Sequence, residues 1–170
     1  NTTVLYRFDS DDGAATSTNP WLTENDGDCP GRPTGNATLA IHVMLAAANG
    51  TVAMLGNIGA VSTLRVVSAF SGETVSTVTL TTYTDEHDLS ADPDGNYYLV
   101  YSKAGTYAAS KYTASGTAVW TITSTGAMGS ISYDPISSNV FLAGDDVMDT
   151  GFSFAARSAA TGAAVASSDA

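Results

Sequence analysis

Gly72, Gly116 and Gly162 stand 44 and 46 residues apart, each directly after a Ser or Thr, and this step constrains the chain more than any other feature. A period of about 40 to 50 residues marks architectures in which small supersecondary units stack, because one unit cannot bury its own apolar face. A second turn keeps the step. Asn49-Gly50, Asp94-Gly95 and the Ser138-Asn139 pair each lie between an incoming strand and an apolar outgoing one. Asp94-Gly95 reads as a two-residue hairpin turn, since glycine takes positive φ at little cost.

Laid over one another, the units contain four short strands each. First strands are expected at Ile41 to Ala47, His87 to Ala91 and Gly129 to Tyr133, and second strands at Thr51 to Leu55, Asn96 to Tyr101 and Asn139 to Ala143. The second strands are near-continuous apolar runs, the pattern of a strand covered on both faces. Third strands fall at Leu64 to Ala69, Tyr107 to Thr113 and Phe152 to Ser158, and fourth strands at Glu73 to Leu80, Thr117 to Thr123 and Ala163 to Ser167. Helical periodicity is absent, so the fold class is all-β. At the amino-terminal end, Val4 to Phe8, Asp11-Asp12-Gly13 and Ala14 to Thr18 read as a third strand, its turn and a fourth strand. The expectation is a single domain over 1–170: a two-stranded partial unit at 1–18, an irregular insertion at 19–35 holding three of the five prolines, and units at 36–80, 81–123 and 124–170.

The best copy of the unit runs from Asp92 to Trp120, with D-P-D-G-N before a strand and K-Y-T-A-S-G-T-A-V-W after it. It resembles the repeats of bacterial-type β-propellers, both the SBBP-like and the quinoprotein-like families. The resemblance rests on Asp94, Gly95, Asn96, Lys111, Tyr112, Ser115, Gly116, Thr117 and Trp120, with weaker echoes in Arg157 to Ala164 and Arg65 to Glu73. It implies a β-propeller-like array of four-stranded antiparallel blades, about three full blades plus the two-stranded partial blade. In the quinoprotein family a Trp recurs in nearly every blade and docks between blades. Here it stands only at Trp120, with Val78 or Thr77 and Ala166 or Ser167 at the matching positions. That departure points away from the enzyme branch. A closed ring takes four or more blades, so the missing strands are expected from a longer chain or another copy.

Six Lys plus Arg against seventeen Asp plus Glu leave a net charge of −11. Such a surface repels polyanions, which argues against nucleic acid and anionic membranes as partners. No stretch reaches the roughly 18 to 20 apolar residues of a membrane span. The start at Asn1, without an initiator Met, reads as that of a mature or excised segment. Sequons at Asn1, Asn36 and Asn49 point to a secreted, extracellular or cell-surface glycoprotein. Cys29 has no internal mate and is either an inert thiol or half of an intermolecular disulfide. Arg7, Arg65, Lys111 and Arg157 each precede a turn glycine by five to seven residues. They read as outward charges that guard exposed strands against edge-to-edge pairing, with a ring of cations facing a channel as the alternative.

His42 and His87 occupy the same strand of successive units without a nucleophile signature, so no catalytic residue is expected. Asp9 and Asp11, and Asp92, Asp94 and Asn96, lie in turn sequences; they are the weak calcium candidates, though Asp and Asn make such turns unaided. No other cofactor is implied. Trp21, Tyr97 and Tyr101 are the candidate ligand contacts of a glycan platform, while strand alternation places Tyr97 and Tyr101 with Leu99 on one face and Tyr98 with Val100 on the other, as in packing between blades. The functional expectation is a non-enzymatic, structural or adhesive module that assembles with itself or other extracellular chains through open sheet edges. A glycan- or small-ligand-binding module and a fragment of a quinoprotein-type enzyme are the alternatives.

Overall fold

The structure, a computed structural model, describes residues 39–58, 61–80, 85–145 and 154–165. The expected partial unit, the insertion, and with them Asn1, Asp9, Asp11, Trp21, Cys29 and Asn36, lie outside the described residues.

Every described element is a β-strand. The first unit contributes β1 (Leu39–Ala47), β2 (Thr51–Ile58), β3 (Val61–Ser68) and β4 (Thr74–Leu80). The second contributes β5 (Asp85–Ala91), β6 (Tyr97–Lys103), β7 (Thr106–Tyr112) and β8 (Ala118–Ser124). The third contributes β9 (Ala127–Asp134), β10 (Asn139–Asp145) and β11 (Phe154–Ser158). Each unit is one antiparallel sheet in simple up-and-down order: β1-β2-β3-β4, β5-β6-β7-β8 and β9-β10-β11. A bridge from Arg157 to Ala164, with the Val165 N–H donating to the Ala156 carbonyl at 3.0 Å, sets the fourth strand of the third unit alongside β11.

The sheets stack in chain order, and β6 shows why the sequence demands it. All of Tyr97 to Ser102 are buried, which a single strand achieves only when both faces of its sheet are covered. Tyr97, Leu99 and Tyr101 pack toward the first sheet with Leu55, Leu64, Val66 and Leu80. Tyr98 and Val100 pack toward the third with Met128, Ile131, Val140 and Leu142. The two faces alternate as the sequence requires. The first strands lie side by side, β5 against both β1 and β9. Asp88 Oδ2 accepts from Ser130 Oγ at 2.6 Å and the Ile131 N–H at 2.9 Å, and Ser90 Oγ accepts from the Tyr133 N–H at 3.0 Å. Side chains of β5 thus bind β9 across the gap between sheets.

The turns differ from the sequence expectation in one respect. At Asp92 to Asn96 the Gly95 N–H donates to the Asp92 carbonyl and the Asp92 N–H to the Asn96 carbonyl, both at 3.0 Å, leaving a three-residue loop with only Gly95 at positive φ. That is the type I turn followed by a left-handed residue, not a two-residue turn. Ala104-Gly105, which links β6 to β7, is the two-residue turn with both residues at positive φ, 49° and 82°. Ala is a poor signal for that conformation, so the sequence hides it.

Several turn glycines also mark where one sheet meets the next. A Cβ on Gly162 would stand 3.0 Å from the Trp120 ring, and one on Gly116 3.0 Å from Val78, while one on Gly50 would meet nothing within 4 Å. All three have positive φ, between 72° and 85°. Ala in the left-handed region costs about 1–2 kcal/mol from backbone strain, and overpacking about 1–3 more. Gly50→Ala is therefore expected to lose only the first amount and Gly162→Ala the sum, a difference that urea unfolding of the two variants measures directly.

Candidate functional site

Three of the polar groups singled out in the sequence, Asp92, Asn96 and Lys111, converge at the joint between the second and third sheets. Asp92, the residue after β5, is 6% exposed. Its Oδ1 accepts from the Asn96 N–H at 2.9 Å, and its Oδ2 accepts from Asn96 Nδ2 and from the Tyr98 hydroxyl, both at 2.8 Å. Lys111 on β7 brings its Nζ within 3.8 Å of the same oxygen and 5.3 Å of the Tyr98 ring centroid. β6 and β7 place Tyr98 and Lys111 as direct cross-strand partners, so the hairpin register itself builds the contact.

Burial alone would raise the Asp92 carboxyl, but the side-chain and backbone hydrogen bonds of Asn96, the Tyr98 hydroxyl and the Lys111 charge outweigh it and hold the group below its usual range. The Tyr98 phenol is driven far upward, first by burial and then by its bond to Asp92. Lys111 completes the joint by donating to the Ala159 carbonyl at 3.0 Å, which also receives the Trp120 Nε1–H at 3.1 Å. Tyr98 stacks on Tyr133 of β9 at 5.6 Å with an interplanar angle of 9°. Trp120 and Lys111 thus grip the last turn of the third unit. Between the first two sheets Val78 takes the place of the Trp, against Gly116.

This arrangement fixes where the calcium candidates stand. Both Asp92 oxygens are occupied by donors from Asn96 and Tyr98, and a cation already lies beside Oδ2. Asp94 sits on the exposed side of the turn. Among the described residues no three His, Cys, Asp or Glu side chains come together. Tyr97 is wholly buried and Tyr101 is 3% exposed. The Tyr97 hydroxyl bonds Thr51 Oγ1, and that of Tyr101 bonds Ser110 Oγ, which continues to Thr121 at 2.8 Å. Their rings fill the joint between the first and second sheets. Asn49 is exposed, but its amide lies where a Cβ on Gly95 would fall, and its Oδ1 accepts from Thr51 Oγ1 at 2.6 Å. A glycan on Asn49 requires its side chain to swing off Gly95.

Arg7 lies outside the described residues, and among the described residues Arg65, Lys111 and Arg157 neither guard an edge nor face a common channel. They lie on third strands, one strand in from the sheet edge, and are covered: Arg65 is 4% exposed and the Lys111 side chain 12%. Arg65 pairs with Met54 on the face of the first sheet turned away from the second, whereas Arg157 pairs with Val140 and faces the second sheet. Burial pulls the Arg65 guanidinium below its ordinary value, and its Nε has no hydrogen-bond partner among the described residues.

Stacked four-stranded antiparallel sheets with adjacent first strands make this a β-propeller-like blade array. Among solved structures, the quinohaemoprotein alcohol dehydrogenase ADHIIG of Pseudomonas putida HK5 superimposes on 96% of this chain with a TM-score of 0.61 at 14% identity. The chain spans 31% of that enzyme's length. A second likeness, to YCF48 bound to a D1 peptide, covers 78% of this chain and 37% of the other at 18% identity and a TM-score of 0.39, too loose to carry an argument. No family model and no curated protein matches the sequence. At these identities the likeness shows the fold alone.

The Asp92 cluster has a pH signature. Because the folded carboxyl is held below the unfolded value of about 3.9, its contribution is complete above that pH and is lost as pH falls through the depressed folded value. Asp92→Asn keeps the shape but loses the charge, and is expected to cost about 1–3 kcal/mol at neutral pH. Urea melts between pH 7 and pH 2 should show a shallower acid-side decline for the variant than for the parent chain.

Proposed function

We propose that the protein is a non-enzymatic, extracellular repeat module with a structural or adhesive role, which assembles with further copies or other chains. The observation that carries this reading is the outward face of the third sheet. Phe141 and Phe154 stack there at 5.2 Å, and Phe154 is 55% exposed. Their cross-strand neighbours Ser132 and Ala143 add no charge to the face. The corresponding faces of the first and second sheets are each covered by the sheet that follows. Among the described residues no sheet covers this aromatic face, the kind of surface that receives a partner.

The use of Asp92, Tyr98, Lys111 and Trp120 in joining sheets supports a structural role over a catalytic one. The sequons support an extracellular setting. The likeness to a quinohaemoprotein dehydrogenase keeps a redox propeller fragment as the second reading; it calls for cofactor-dependent dye reduction by the purified protein.

Light scattering over a concentration series tests the assembly. The mass of the parent chain is expected to rise with concentration, and Phe154→Ser to reduce that rise severalfold. A parent chain that stays a monomer at the highest concentration sinks the proposal.

A further inference from the structure

The outer edge strands of the first and second sheets carry no charge. β4 and β8 end their sheets, and neither contains an Asp, Glu, Lys, Arg, His or Pro. Around β8 the whole run from Tyr112 to Tyr133 lacks a charged side chain, in a chain of net charge −11. Edge strands are ordinarily blunted by charges, prolines, bulges or cover. Here the cations lie one strand inward, and among the described residues no strand flanks β8 on its outer side. A bulge does occur at Val119, between the Lys111 to Trp120 and Tyr112 to Ala118 pairs, but it is confined to the turn end. From Trp120 to Ser124 the strand keeps unbroken register with β7.

We propose that β8 is the seam through which two copies of this chain join, their edge strands pairing antiparallel about a two-fold axis so that one sheet continues from copy to copy. The proposal rests on the reading of the protein as an assembling module, and its surface is distinct from the Phe141 and Phe154 face. A second copy is the favoured occupant for two reasons. An antiparallel edge is its own complement, since the two-fold sets the N–H groups of each strand against the carbonyls of the other. Copies with a net charge of −11 repel wherever their acidic groups meet, and β8 is where they can approach without that penalty. Val119, 47% exposed, and the exposed Thr121 and Thr123 are strand-forming side chains suited to cross-strand contact. β4 is the weaker candidate because its charge-free run stops at Asp85 and Glu86.

Sedimentation velocity on the full chain, with Val119→Lys and Thr123→Lys combined, tests the seam. The substituted side chains are exposed, and the pair sets like charges against each other across the two-fold. The parent chain is expected to dimerise and the double variant to do so at least about tenfold more weakly, a shift of about 1.4 kcal/mol. Should the variant not fold, hydrogen exchange on the parent chain decides: the amides of Trp120 to Ser124 should slow as concentration rises. Association unchanged in a folded variant, or β8 exchange independent of concentration in an associating parent, overturns the seam and leaves the assembling module standing. A parent chain that is monomeric throughout overturns both.

Discussion

The sheets can approach one another only as closely as their turns allow, and the turns lack side chains where the approach is closest. Gly116 faces Val78 and Gly162 faces Trp120, each from the sheet that follows, and each has no room for a Cβ without displacing its neighbour. The same residues hold positive φ, which closes the hairpin between third and fourth strands. One glycine therefore meets two constraints, one within its sheet and one between sheets. The spacing of those glycines along the chain is the spacing of contacts between blades, which explains why the repeat is clearest there and blurred elsewhere. A bulky ring at Trp120 and a small branched side chain at Val78 can occupy equivalent places because the following turn adjusts its length: the hairpin opposite Val78 closes over three residues at Ala114 to Gly116, and that opposite Trp120 over four at Ala159 to Gly162.

The polar cluster at Asp92 is a consequence of this packing. Stacking a third sheet on β6 and β7 removes Tyr98 and Lys111 from water, and a buried polar group without partners is costly. Asp92 supplies the acceptor, and the Ala159 carbonyl, brought close by the Gly162 turn, takes the remaining donors from Lys111 and Trp120. A buried ion pair of this kind adds little net stability over an apolar pair, but removing one partner leaves the other stranded. The cluster thus fixes how the third blade seats on the second. Its strength lies in geometry more than in energy.

Much of the fold was legible because period and alternation are local signals. The strands, their order in each sheet, the two-sided burial of β6 and the partition of its tyrosines all follow from glycine spacing and a period of two. What was not legible depends on register. Arg65, Lys111 and Arg157 look equivalent when measured to the turn glycine, yet they lie three, two and one residues before the hairpin-closing Ser68, Thr113 and Ser158. A one-residue slip reverses the face, so Lys111 and Arg65 point to opposite sides of their sheets. The expectation of edge guards failed because all three lie on third strands, one strand in from the edge, and register then decided which face each entered. The role of Asp92 was hidden differently: D-P-D-G-N is a complete turn sequence by itself, and nothing local shows that a lysine nineteen residues later (111 minus 92) returns beside it. Counting the β6 and β7 register outward from Ala104-Gly105 would have paired Tyr98 with Lys111, had that turn been recognised.

Placing cations inside changes the surface more than the formal charge suggests. Arg65 and Lys111 contribute to the net charge but are covered, so what the described sheets present to solvent is more acidic than the overall balance. Such a surface repels acidic partners, other copies of itself included, except where charge is sparse. Among the described residues those places are the β4 and β8 edges and the aromatic face of the third sheet. The hydrophobic and hydrogen-bonding character of both would matter little on a neutral protein, where any apolar patch competes. On this one they are the gaps in a repulsive coat, so the position of buried lysine and arginine, set by strand register, decides which surfaces remain available for contact.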